Sequence, residues 1–342
     1  MESVTSRTSV GILLSLVLLL GLSVAAQNNP VPRPPNDRQK PAQTAVPHPP
    51  ESPQESQEAP AATFKVNVKL VNVLATVTDA DGAPIGGLNK DDFQVYEDDV
   101  PQKIAVFDRE TGMPLSIIMG IDTSLSTRKD LPLELDSARR FANTILRPVD
   151  ALAIYRFSDT VEEVQPFTSN LQDIDRSLRR VRSGTSTALY DAIYLASRAL
   201  YKRQGRKVLV LITDGGDTAS SVNYQDALRA AQTAQAIIYS IIMVPIEASA
   251  GRDLGGEHAL IQLSHDTGGK YYYATSLSEL ESAFHQISDE LRTQYLLGYY
   301  PSRTGYDFRH IRVEIVPHPG DPSSTPGLKV RSRSGYYTSK LE

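Results

Sequence analysis

Four strand-like apolar runs, at residues 115–121, 151–157, 208–213 and 237–244, alternate with stretches of helical periodicity near 131–146, 171–182, 188–203 and 223–235. Runs that are apolar throughout suit strands covered on both faces, and intervening helices supply the cover. The order therefore restricts this part of the chain to an α/β fold with a parallel sheet. Residues 257–266, 269–273 and 277–292 continue the series as helix, short strand and helix. The expected architecture is a doubly wound, mainly parallel, Rossmann-like sheet, in which ligands gather outside the carboxyl ends of the strands.

Oxygen-bearing loops fall at those carboxyl ends. Asp122-Thr123-Ser124-Leu125-Ser126 follows the run Leu115 to Ile121 directly, giving a D-x-S-x-S cluster. A carboxylate and two hydroxyls suit a hard divalent cation such as Mg²⁺, which prefers oxygen ligands and retains waters, leaving the site open to a further ligand. Lys207 to Thr213 is a second apolar strand and ends in Asp214-Gly215-Gly216-Asp217, where glycines permit a tight turn beside a ligand. Between them, Ser183-Gly184-Thr185-Ser186-Thr187 leads into a helical pattern from Ala188 to Ala196, so a threonine hydroxyl sits near the same edge. The three loops are placed to converge on one ion.

This combination of D-x-S-x-S, a Gly-Thr loop before a helix and an Asp-Gly after a strand resembles the von Willebrand factor type A domain and its metal-ion-dependent adhesion site. The resemblance spans roughly residues 112–298. It implies Mg²⁺ or Mn²⁺ ligated directly by Ser124, Ser126 and Thr187, with Asp122 and Asp214 acting directly or through water. Thr185, closer to the glycine, is the alternative to Thr187. A protein partner presenting an acidic residue would complete the coordination, and ligation would shift the helix near 277–292. The flanks, Leu88 to Asp98 with Pro101-Gln102-Lys103-Ile104, and Tyr295 to Tyr299 with Arg331 to Tyr336, resemble a secreted acidobacterial group related to this domain.

The remaining segments read by composition. Arg7 before the apolar stretch Val10 to Val24, then Ser23-Val24-Ala25-Ala26, reads as a signal peptide over 1–26, with the mature chain secreted, periplasmic or in the cell envelope. The stretch is shorter than the ~20 residues of a spanning helix, so no integral membrane span is expected after cleavage. Residues 27–62 hold ten prolines and no Leu, Ile or aromatic residue, the composition of an extended tether. Alternating apolar residues over 63–110 predict an N-terminal β module, and those over 299–342 predict strands that return to pack with it as a small β-sandwich. The acidic groups Asp91-Asp92 and Glu97-Asp98-Asp99 are expected in solvated turns.

Several classes are disfavoured. A net charge of −5 gives no whole-chain signal for nucleic acid, and the absence of cysteine removes disulfides, thiolate metal sites and a cysteine nucleophile. There is no G-x-S-x-G elbow, H-E-x-x-H pair or phosphate loop, so an enzyme, in particular a metal-dependent hydrolase, is the weaker expectation beside a binding module. A structural envelope scaffold, with an ion that only stabilises loops, is the competing non-enzymatic reading. His258 and His265 lack a third ligand nearby, Tyr271-Tyr272-Tyr273 and Tyr299-Tyr300 suit strand packing, and Asp191 and Asp217 are placed to orient metal waters or loop backbone.

Overall fold

The computed structural model describes residues 70–109, 112–127, 131–244, 254–303, 305, 307–316 and 327–338. The expected signal peptide, the Pro-rich tether and the start of the N-terminal β module at 63–69 lie outside these residues.

Period-two alternation builds the first strands. In β1 (Val71–Thr78) the residues Val71, Val73, Ala75 and Val77 all turn into one core. β2 (Phe93–Glu97) follows a short 3-10 turn, Lys90–Asp92, and adds Phe93 and Val95 to that core. β3 (Val100–Gln102) and β4 (Ile104–Arg109) complete the N-terminal set.

The central part obeys a different rule. All eight residues of β5 (Leu115–Asp122) are buried, because helices cover both faces of its sheet. The chain continues through α1 (Leu131–Ile145), β6 (Ala151–Phe157), β7 (Val161–Thr168), α2 (Leu171–Leu178), α3 (Leu189–Tyr201) and β8 (Arg206–Thr213). It then runs through α4 (Tyr224–Ala234), β9 (Ala236–Met243), α5 (Leu254–Thr267), β10 (Tyr271–Ala274) and α6 (Leu277–Thr293). The sheet order is β10-β9-β8-β5-β6-β7, parallel except for the last pair. Helices α1, α2 and α6 pack on one face through Phe141, Ile174 and Phe284, while α3, α4 and α5 pack on the other through Ile193, Ala231 and Leu263. This is the doubly wound α/β architecture expected from the alternation.

One strand escaped the sequence reading. β7 is an antiparallel edge strand that carries Glu162, Glu163 and Pro166, and none of its residues is fully buried, so its apolar content is too low to stand out.

The C-terminal strands are β11 (Tyr295–Tyr299), β12 (Phe308–Ile315), β13 (Lys329–Ser332) and β14 (Gly335–Tyr337). They interleave with the N-terminal ones in two four-stranded sheets, β13-β1-β11-β4 and β14-β12-β2-β3, which share one core of Val73, Val95, Leu297 and Val313. The strand at 295–299, placed mostly inside the central domain by the boundary at 298, pairs instead with β1 and β4. Its Tyr295 and Leu297 fill the space between the two sheets, which the local pattern Tyr-Leu-Leu-Gly-Tyr cannot announce.

Two acidic residues expected in solvated turns are buried. Asp92 is 5% exposed and accepts the Asn89 N–H, while Glu97 is 1% exposed. Glu97 accepts from Arg309 at 2.6 Å, from Tyr299 at 2.7 Å and from Tyr336 at 2.9 Å. The sequence places these partners about 200 residues away, so the pairing is invisible in the acidic run itself. Asp98 and Asp99 do form the turn, both with positive φ.

Two consequences follow for stability. Glu97→Ala would leave the buried Arg309 without its carboxylate and is expected to destabilise the protein by about 3–5 kcal/mol in denaturant unfolding. Truncation after Tyr300 removes one of the two strand partners of β2, which keeps β3, and one of the two partners of β1, which keeps β11, so amide exchange in both strands should accelerate.

Candidate metal centre

Asp122 is the last residue of β5 and is fully buried. Its Oδ1 accepts the Ser124 N–H at 2.9 Å, and its Oδ2 accepts the Thr213 hydroxyl at 2.7 Å. Thr213 ends the neighbouring parallel strand, so strand register brings this hydroxyl to the carboxylate. Burial raises the Asp122 pKa to about 6; the hydrogen bonds from Thr213 and Ser124 oppose the rise, and the nearby Asp214 carboxylate adds to it. The site therefore contains a carboxylate with donors around it but no cation among the groups that shift it.

The D-x-S-x-S loop turns tightly over this carboxylate. The Thr127 hydroxyl donates to the carbonyls of Asp122 and Ser124, holding the turn closed. The Ser124 and Ser126 hydroxyls lie 3.1 Å apart; Ser124 is buried and Ser126 faces solvent. The two oxygens thus form a short ledge from the protein interior to the surface.

The loop before α3 docks on the first. Gly184 N–H donates to the Thr123 carbonyl at 2.6 Å, and Leu125 N–H to the Thr185 carbonyl at 3.5 Å. A Cβ on Gly184 would lie 2.2 Å from the Ser158 hydroxyl, so this approach requires glycine. The Thr185 hydroxyl is exposed and donates to Asp159 at 2.6 Å, and the hydrogen bonds from Thr185 and Ser186 hold the Asp159 carboxyl well below the usual range. Thr187 is buried; its N–H donates to the Thr218 hydroxyl and its carbonyl accepts from the Thr218 and Ala219 N–H groups. Among the described residues its hydroxyl has no hydrogen-bond partner.

Asp214 leads the third loop, half-buried beside Asp122. Gly215 follows at φ +102°, and a Cβ there would meet the backbone N of Glu257 at 3.2 Å, where α5 begins. Asp217 accepts the N–H groups of Leu189 and Tyr190 and so caps the start of α3, while Asp191 accepts those of Ser221 and Val222. Both aspartates hold loop backbone, one of the two roles their positions allowed. Together they tie the second and third loops to each other.

Sequence reasoning missed Thr213, Asp159 and Thr218. Thr213 was assigned to its strand rather than to the site, and only sheet register reveals its hydroxyl against Asp122. His258 and His265 are exposed on α5, and among the described residues no group of three or more His, Asp or Glu is placed to hold a metal. Any cation at the sheet edge would depend on hydroxyls as well as carboxylates, which is the donor set the three loops carry.

The family model for the von Willebrand factor type A domain matches residues 117–216. No curated protein matches the chain. Among solved structures, the chain is similar to a conserved hypothetical protein BatB from Bacteroides thetaiotaomicron, at 21% identity and TM-score 0.41, over 52% of this chain and 100% of that one. It is also similar to the domain of the type V pili tip protein Mfa5 from Porphyromonas gingivalis, at 13% identity and TM-score 0.42, over 52% and 95%. A von Willebrand factor type A protein from Catenulispora acidiphila aligns at 12% identity and TM-score 0.47, over 81% and 65%. The matched residues 117–216 carry Asp122, the Ser183 to Thr187 loop and Asp214, and over this stretch the chain is similar to the von Willebrand factor type A domain.

Proposed function

We propose that this protein is a binding module of the cell envelope or exterior that recognises a protein partner through a divalent cation. Ser124, Ser126 and Thr187 would hold Mg²⁺ or Mn²⁺, with Asp122 and Asp214 ligating directly or through water. The bound cation would supply a Lewis-acidic centre open to a carboxylate from the partner. The observation that carries this reading is the buried Asp122 carboxylate, whose charge is opposed by burial and by Asp214 while a row of hydroxyl oxygens lies beside it. A cation supplies the compensation that the hydrogen bonds give only in part.

The choice of Thr187 over Thr185 rests on hydrogen bonding. The Thr185 hydroxyl is engaged by Asp159, whereas Thr187 is held by its backbone alone, which leaves its hydroxyl available. Ser124 has Ser126 as its side-chain partner rather than a histidine, so the arrangement supports ligation rather than nucleophilic attack. No helix among the described residues is long and apolar enough to cross a membrane. Placement outside the cytoplasm rests on the leader-like first 26 residues.

Calorimetric titration with Mg²⁺ and Mn²⁺ should give saturable binding that Asp122→Ala abolishes. An acidic-partner pull-down should then be lost on chelation while the melting temperature changes little. Loss of stability on chelation without any metal-dependent partner would instead favour a structural ion in an envelope scaffold.

The raised pKa of Asp122 sets a pH dependence. Its folded value of about 6 exceeds the unfolded ~3.9, so between them the metal-free folded protein holds the additional proton and loses stability as pH rises through that window. Ligation needs the ionised carboxylate, so Mg²⁺ affinity should fall about tenfold per unit below about pH 6. Titrations at about pH 5 and about pH 7.5 test this, and equal affinities would remove Asp122 from the ligand set.

A further inference from the structure

A second polar feature lies at the opposite end of the central sheet. A cavity of about 270 Å³ opens where the amino ends of β8 and β9 meet β1 and β11, and its wall includes Asn72, Leu296, Arg203, Arg206, Lys207 and Arg333. Its volume is near the lower bound of about 300 Å³ typical of small-ligand sites. No carboxylate is among the described residues that line it.

Three of its cations have only neutral partners, oxygens and aromatic faces. Arg203 donates through Nε to the Ser116 hydroxyl at 3.0 Å and stacks on Phe167. Lys207 donates to the Ala234 carbonyl at 3.0 Å. Arg333 is 8% exposed and donates through Nη2 to the Asn72 carbonyl at 2.8 Å, while its Nε and Nη1 are buried with no hydrogen-bond partner. The fourth cation, Arg206, by contrast lies in the fields of Asp150 and Asp108.

A buried guanidinium without a counter-charge is costly, and here it faces a second cation. Burial lowers the pKa of Lys207, and the neighbouring Arg333 lowers it further; burial brings Arg333 down to about 10. Elsewhere at the contact between the sandwich and the α/β sheet the same chemistry is balanced, since Arg331 and Lys270 both face the buried Glu290. The charge at Arg203, Lys207 and Arg333 is thus an unbalanced exception at this contact.

We propose that this cavity binds a phosphate group, with Arg203 and Lys207 in contact with its oxygens and Arg333 supplying charge from the inner wall. The ligand would bridge residues of the sandwich, Asn72 and Arg333, and residues of the α/β sheet, so occupancy would tie the two together. Arginine and lysine together supply the forked and the point-charge donors that phosphate oxygens accept. The site is independent of the proposed metal centre, because it lies at the other ends of the same strands.

The full chain in EDTA, titrated calorimetrically with inorganic phosphate, pyrophosphate or glycerol phosphate against chloride at matched ionic strength, tests the proposal. Saturable binding is expected, weakened about tenfold by Lys207→Met and by Arg203→Met through the loss of a charged hydrogen bond. Preference for glycerol phosphate over the inorganic ions would identify a phosphomonoester as the source. Lys207→Met should also raise the melting temperature in chloride, by removing the repulsion with Arg333, and should lose the further rise that pyrophosphate gives the wild type. The proposal is overturned if no probe titrates above chloride, if both variants bind as the wild type does, or if Lys207→Met does not gain stability in chloride.

Discussion

The structure turns on a carboxylate placed where a strand covered on both faces comes to its end. Asp122 is as buried as the isoleucines before it, yet it is ionisable, and burial acts against its charge. Every nearby polar choice answers that fact. Thr213 gives it a hydroxyl, Ser124 a backbone N–H, and Thr127 closes the turn above it. Stability alone would favour an apolar residue at this position, and a local conflict of this kind marks the places where a chain gives up stability for function.

The same economy is absent from the other end of the sheet. There the α/β part meets a sandwich whose two sheets are each woven from both chain termini. Their shared core is apolar around one buried ionic cluster, Glu97 with Arg309, Tyr299 and Tyr336. Glu290 balances Arg331 where the two parts meet, whereas Arg333 on the same strand segment has only a carbonyl and an aromatic face. Two residues apart, one arginine is neutralised and the other is not. That contrast is what makes the cavity beside Arg333 chemically informative.

Much of the central fold was legible because its signals are local. Strands such as Leu115–Asp122 and Arg206–Thr213 are apolar throughout, and helices between them repeat at the helical period. Three oxygen-rich loops were assigned to one sheet edge for the same reason, since each borders such an element. β7 was not legible, because an edge strand with glutamates and a proline lacks the apolar excess that marks its neighbours. Glu97 was misread as a solvated acid, because its three partners come from strands about 200 residues later in the chain.

By itself the sequence determined the α/β alternation, the strand ends at Asp122 and Asp214 and the loop before α3, since hydrophobic period and turn residues act over a few positions. Tertiary structure alone decided that Thr213 faces Asp122, that Thr185 is engaged by Asp159 while Thr187 is not, and that β11 leaves the central sheet to pair with β1 and β4. It also decided which cations are balanced. Hydrogen-bond partners and counter-charges are set by strand register and by contacts between distant segments, and no short-range pattern in the chain encodes either.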